Sequence, residues 1–241
     1  SRGTTTHSKA EIDQAVDFIG ASMSTSANGI VGECLTKHQD KLLAIMTDVL
    51  FNPTFPAEEF EKLKKQTLSA LAQDKDDPNT IAANVSSALR NGSNHPYGEL
   101  TTEKTIEKIT VEKCREYYDK FFKPNISYLI ITGDVDAKKA FEKASEYFAK
   151  WENKTVVKLP YPTPQKPPNT MVDFVDKTGA VQSVINITYP VELKPGSPDA
   201  IKASVANTIL GGYFGSRLMS NIREDKGYTY GARSNLDYDP V

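Results

Sequence analysis

The chain is poor in the residues that build metal clusters and disulfide frameworks. Its 241 residues include two cysteines, Cys34 and Cys114, and three histidines, His7, His38 and His95. Two cysteines are too few for a disulfide scaffold, and their spacing matches no metal motif. They can pair or stay as buried thiols, which leaves the redox compartment open. No two histidines stand four residues apart, so no helix presents a histidine pair and no zinc site is expected within the chain. No apolar run approaches the ~20 residues of a membrane span. The apolar stretch Tyr128 to Ile131 reads as a buried strand. An excess of charge is missing too. The 29 basic and 31 acidic residues leave a net charge of −2, which argues against a dedicated binder of nucleic acid or anionic membrane. There is no G-x-S-x-G for a serine nucleophile. The run Gly211-Gly212-Tyr213-Phe214-Gly215-Ser216 has the glycines of a phosphate loop without the G-K-S/T that completes one. Asp74, Asp76 and Asp77 lack the order of a calcium loop.

What is present describes a globular protein. Hydrophobic residues make up 39% and charged residues 25%, enough apolar surface for a sizeable core and room for one large or two modest domains. Ser8, with Glu11 three residues on, reads as a capping box opening a helix over Ile12, Ala15, Val16 and Ile19, which Gly20 closes. The stretch Ala21 to Lys37 alternates, and Asn28-Gly29 predicts a hairpin turn. Leu42, Ile45, Met46 and Val49 mark a helix that stops before Pro53. Pro56 starts a long one, with Phe60, Leu63, Thr67 and Leu71 on one face, and Pro78 opens another that ends near Asn91-Gly92. Lys62, Lys64 and Lys65 follow Glu58, Glu59 and Glu61 and read as a solvated helix face. Further helices are predicted near 102–109, 111–122 and 138–150, with a strand over 126–132.

Five prolines between Pro160 and Pro168 suit an extended inter-domain connector. Beyond it the pattern restarts, with strands at 172–175 and 181–188, a helix face of Ile201, Val205 and Ile209, a second of Phe214, Leu218 and Ile222, and a strand over 228–234. The chain therefore divides into a first domain, 1–155, a linker, 156–170, and the opening part of a second domain, 171–241. It starts at Ser1-Arg2-Gly3 and stops at Asp239-Pro240-Val241, and reads as a fragment.

The most informative block runs from Leu210 to Gly231. A helix is expected to end near Lys226, with Gly227 as its cap and Arg223 and Lys226 opposing the negative helix end. Tyr230 then begins a strand. On physical grounds alone this is a capped helix and a core tyrosine, and His95, beside Pro96, is a structural or exposed loop histidine.

The same block resembles the insulinase/pitrilysin family, the inverzincins, which include the mitochondrial processing peptidases and carry an H-x-x-E-H zinc motif. Gly3-Thr4, Gly20-Ala21, Asn52-Pro53-Thr54-Phe55, His95-Pro96-Tyr97-Gly98 and Ile131-Thr132-Gly133-Asp134 also have counterparts there in order and spacing. The resemblance covers nearly the whole chain. It implies an α+β fold of α/β roll domains, each an antiparallel sheet packed with helices, two of which form half of a clam-shell chamber.

In that family an arginine–tyrosine pair holds the substrate, and Arg223 and Tyr230 match it. A guanidinium and a phenol can each donate to a peptide carbonyl as it becomes an oxyanion. The zinc motif would fall before Gly3, outside the chain. The distal glutamate of the zinc site corresponds to Ala70, which cannot bind a metal and is expected beside Leu63 and Thr67 on the inward face of its helix. The resemblance thus implies a non-catalytic subunit or half of a zinc peptidase. It assigns no catalytic or metal-ligating residue here and expects zinc on a homologous partner or repeat that bears H-x-x-E-H, with a peptide as substrate. The alternatives are a structural or interaction protein of the same fold, a complete zinc peptidase with its histidines upstream, and a small-molecule binding module with a deep apolar pocket away from Arg223.

Overall fold

The first helix follows from its ends. In the computed structural model, which describes residues 2–157, 160–161, 169–191 and 193–237, Ser8 caps α1, Lys9–Phe18. Its hydroxyl accepts from the Glu11 N–H at 3.3 Å, and the Glu11 carboxylate accepts from the Ser8 N–H at 2.8 Å. At the other end the Gly20 N–H donates to the Asp17 carbonyl at 2.9 Å and the Ala21 N–H to that of Val16 at 3.1 Å. That pair of bonds wraps the helix end and needs a left-handed residue between them, which Gly20 supplies at φ 61°.

The chain then forms a hairpin, β1 Ser22–Ser26 and β2 Gly29–Glu33, antiparallel from Ser22 opposite Glu33 to Ser26 opposite Gly29. The loop is therefore Ala27-Asn28, one residue earlier than the Asn28-Gly29 turn the sequence predicts. Ser26 sets this register, because its hydroxyl accepts from the Asn28 N–H at 3.1 Å and closes the turn locally.

Met23 and Ile30 face a core of Ile12, Val16 and Val49, joined by Ala21 and Ile45. Val49 belongs to α2, Gln39–Phe51, which also buries Leu42, Thr47 and Leu50. Gly32 lets the hairpin approach α2 closely, since a Cβ there would stand 2.7 Å from Met46 Sδ and 3.1 Å from Leu42 Cδ2. We expect Gly32→Ala to destabilise this unit by about 1–2 kcal/mol, read as a lower urea midpoint, because Met46 yields only in part.

The long helix α3 is Ala57–Asp74, and α4, α5, α6 and α7 follow at Pro78–Asn91, Glu103–Glu107, Val111–Phe121 and Ala137–Phe148. Aromatic rings tie α2 to the later helices. Phe51 packs edge-on against Phe148 at 6.3 Å and Trp151 at 6.1 Å. The Trp151 indole N–H donates to the Phe122 carbonyl at 3.2 Å, and the Tyr118 hydroxyl donates to the Leu50 carbonyl. Lys143 pairs with Asp40 across α7 and α2. The last helix, α8, is Pro198–Asn207; it runs into a π-helical stretch, Thr208–Gly212, and a second such stretch spans Met219–Asp225.

Together the helices and the antiparallel pair make an α+β chain, as expected. The predicted strands at 126–132, 172–175, 181–188 and 228–234 form no ladder among the described residues. Pro124–Ile126 is a 3₁₀ turn, and the described residues of the other predicted strands carry no regular secondary structure. Tyr128, read as part of a buried strand, is 94% exposed, and Val181 is 98% exposed. Alternating apolar residues specify a face, but a strand also needs a neighbouring backbone to take its N–H and C=O groups. No described helix is long and apolar enough to cross a membrane.

The chain groups into two compact units, Ser1–Asp77 with Thr101–Leu159, and Pro78–Leu100 with Pro160–Val241. The core above belongs to the first. Most of the proline-rich stretch lies outside the described residues.

Candidate functional site

Two of the motif blocks meet in the first unit. The Thr54 N–H donates to the Gly3 carbonyl at 3.1 Å and the Thr5 N–H to that of Asn52 at 3.0 Å. Asp48 fastens this corner. Its carboxylate accepts from Thr4 Oγ1 at 2.7 Å, Thr6 Oγ1 at 2.9 Å and Asn52 Nδ2 at 2.8 Å, and lies 3.1 Å from His7 Nδ1. Partial burial pushes the Asp48 carboxyl up, but the hydrogen bonds from Asn52, Thr4, His7 and Thr6 outweigh it and hold the group below its ordinary value.

A depressed carboxyl stabilises the fold above the unfolded-state pKa of ~3.9, and that contribution is lost as pH falls through the lower folded value. We therefore expect the urea midpoint of the wild type to fall more steeply than that of Asp48→Asn as pH drops below about 4.

The described residues offer no donor set that fits a zinc ion. Among the described residues no three of His, Cys, Asp and Glu stand together in a metal-holding group. Cys34 and Cys114 are half-buried free thiols, and burial pushes the Cys34 thiol up. His95 is 3% exposed, so the loop histidine is a buried one. The Tyr97 N–H donates to its Nδ1 at 3.1 Å, and its ring lies against those of Tyr97 and Tyr161. Ala70 is exposed, together with Leu63 and Thr67, and not inward as expected. The side of α3 that is half-buried carries Phe60, Lys64, Leu68 and Leu71, since Lys64 reaches the Glu107 and Ile109 carbonyls at 2.9 and 3.1 Å and turns that side toward α5.

The Leu210–Gly231 block builds one wall of a groove in the second unit. At Gly211 the backbone of Ser234 comes so close that a Cβ would stand 2.5 Å from the Ser234 nitrogen. The Ser234 N–H donates to the Gly211 carbonyl at 3.2 Å, and Asn207 Nδ2 donates to the Ser234 carbonyl at 3.1 Å. The Ser234 hydroxyl donates back to the Asn207 carbonyl at 3.3 Å. This clasp fixes the segment that follows Tyr230. Ser216, 1% exposed, accepts at its carbonyl from the Ser220 N–H at 2.9 Å and anchors the second π-helical stretch.

Arg223 lies near the end of that stretch. Its guanidinium sits over the Phe214 ring, 4.9 Å from the centroid, and its Nε is 3.4 Å from Glu224 Oε1. The Arg223 carbonyl accepts from the Gly227 N–H at 3.0 Å, and Gly227, at φ 64°, reverses the chain as the sequence predicts. Tyr230, expected as a core residue, is 89% exposed. Its phenol makes no hydrogen bond among the described residues, while the backbone on either side is held by Thr229 Oγ1, which donates to the Gly231 carbonyl at 3.1 Å.

Arg223 and Tyr230 both line the groove, whose volume is about 2380 Å³. The wall from α8 and the π-helical stretch that continues it is Ala203, Ala206, Asn207 and Leu210, a stripe at helical spacing. The predicted face of Ile201, Val205 and Ile209 is instead exposed. Sequence reasoning assigned no site role to the groove residues Arg90, Tyr97 and Arg233. The available signals were the position of Arg90 at the end of α4 and of Tyr97 in the His95-Pro96-Tyr97-Gly98 block.

Residues 108–240 match the family model described as the peptidase M16 inactive domain. The non-peptidase homolog YmxG of Helicobacter pylori is 25% identical over 228 residues, 93% of this chain and 52% of that protein. The uncharacterized zinc protease YmxG of Bacillus subtilis is 26% identical over 239 residues, 97% of this chain and 57% of that one. Among solved structures, a peptidase M16 inactive domain from Pseudomonas fluorescens superposes with a TM-score of 0.77 at 23% identity, over 98% of this chain and 58% of that one. The likeness shows the fold. The chain spans a little over half the length of these relatives.

Proposed function

The chain belongs to the peptidase M16 inactive-domain family, in agreement with the insulinase/pitrilysin resemblance of its motifs, and from that premise we propose that it is part of a non-catalytic subunit or half of a zinc peptidase that holds the substrate peptide through Arg223 and Tyr230. The observation that carries this reading is the presentation of the two side chains. Arg223 is braced on Phe214 and Glu224, and the phenol of Tyr230 stands open to solvent in the same groove. Both are donors, and a peptide carbonyl that gains negative charge is the acceptor they suit. Glu224 leaves the guanidinium Nη groups free to donate outward, since its contact is to Nε.

Among the described residues no three of His, Cys, Asp and Glu stand together, and the reading puts the zinc on a homologous partner or repeat that bears H-x-x-E-H. The same reading keeps 156–170 as the connector between domains at 1–155 and 171–241. It is tested by measuring peptide hydrolysis by a zinc-bearing homologue with and without the full-length protein. Turnover is expected only when both are present. Equal turnover in the absence of this protein would favour a structural role for the same fold, and hydrolysis by this protein alone would make it a complete peptidase.

A further inference from the structure

We infer that the groove in the second unit selects peptides rich in acidic residues, a substrate class that rests on the reading just given. The charged residues that line it, among those described, are Arg90, Arg223, Lys226 and Arg233, opposed by Asp237. That excess of cations stands on a chain whose net charge is −2, so the groove runs against the sign of the whole molecule.

The four come from three places: Arg90 from the last turn of α4, Arg223 and Lys226 from the second π-helical stretch and its cap, and Arg233 from the irregular segment beyond Tyr230. Cations near helix ends are favoured by the backbone dipole wherever they point. That accounts for three of them singly, but not for Arg233, which lies outside any helix, nor for all four lining one groove.

Nor are they neutralised locally. Among the described residues Arg90, Lys226 and Arg233 have no carboxylate partner, and Arg223 has only its neighbour Glu224, at 3.4 Å. A concave surface lined by one sign of charge concentrates its field and raises the local concentration of opposite charge. The volume, about 2380 Å³, exceeds the ~300–1,000 Å³ of a typical small-molecule pocket and suits an extended segment of several residues. Tyr97, Tyr189, Tyr228 and Tyr230 add ring faces along it. The fitting ligand is an extended peptide whose carboxylates are interleaved with apolar or aromatic side chains.

The test is fluorescence anisotropy on the full-length protein with three labelled peptides. They share one apolar frame and carry Glu, Gln or Lys at the same intervening positions. The Glu peptide is expected to bind about tenfold tighter than the Gln peptide at low ionic strength, and that preference should shrink at about 0.15 M salt, where the screening length is ~8 Å. The double variant Arg90→Gln, Arg233→Gln should bring the Glu peptide to the affinity of the Gln peptide.

Equal affinity of all three, or tightest binding of the Lys peptide, would overturn the inference. If the Gln peptide still lost affinity in Arg223→Ala, the substrate-holding reading would survive that failure. Binding of none of the three would overturn both.

Discussion

Under the proposed function, Arg223→Ala is expected to lower peptide turnover by the assembled complex about 10²–10³-fold, with the zinc site of the partner intact. Removing one donor to a developing oxyanion has that effect on kcat. The donor here is well braced. A guanidinium stacked 4.9 Å from the Phe214 centroid, with Nε 3.4 Å from Glu224, has lost part of its rotamer freedom before substrate arrives. The loss should therefore fall on kcat more than on KM, as for a contact made chiefly in the transition state. Arg223→Lys should recover little, because an ammonium keeps the charge but not the planar fork. Phe214 is 65% exposed, so truncating Arg223 leaves no buried void and the variant should fold normally. Unchanged kcat in a folded complex would remove Arg223 from the mechanism.

Gly211→Ala carries the second large effect, this time without touching the substrate. The added methyl would meet the Ser234 nitrogen at 2.5 Å, its Oγ at 2.6 Å and Leu218 Cδ1 at 2.9 Å. The first of these is backbone, so no rotamer change relieves it, and the clasp among Gly211, Asn207 and Ser234 must open. Overpacking of this kind costs about 1–3 kcal/mol, and we expect the upper part of that range. Tyr230 precedes the clasped segment, so turnover in the assembled complex should fall as well. Gly231→Ala is the control, because a Cβ there meets nothing within 4 Å. Equal urea midpoints for the two variants would show that the close approach at Gly211 does not hold the groove wall.

The helices were legible because their determinants are local. Ser8 and Glu11, Pro56, Pro78 and Gly227 mark ends that need no distant partner. The hairpin was legible in kind but displaced by one residue, since Ser26 closes its turn with a side-chain bond that the Asn28-Gly29 signal does not report. The remaining strand segments show what periodicity omits: 181–188 has the composition of a strand but no ladder partner among the described residues. Faces were misread where a long polar side chain or small residues decided them. Lys64 turned α3 so that Ala70 lies outward, and Ala203 and Ala206 line the groove while Ile201 and Val205 face away from it. The site block was legible through Gly227, read as the cap that reverses the chain, whereas the close approach at Gly211 depends on a distant residue, Ser234, that no local pattern reports. Arg90 and Arg233 lie outside that block and could be found only once the groove was built.

The most direct test of the account is the zinc content of the full-length protein, purified without added metal. Essentially no tightly bound zinc is expected, because the family resemblance puts Ala70, whose side chain offers no ligand atom, in place of the distal glutamate and the proposed function assigns the metal to a partner. Stoichiometric zinc, abolished by changing histidines upstream of Gly3, would contradict it and make the protein a peptidase in its own right.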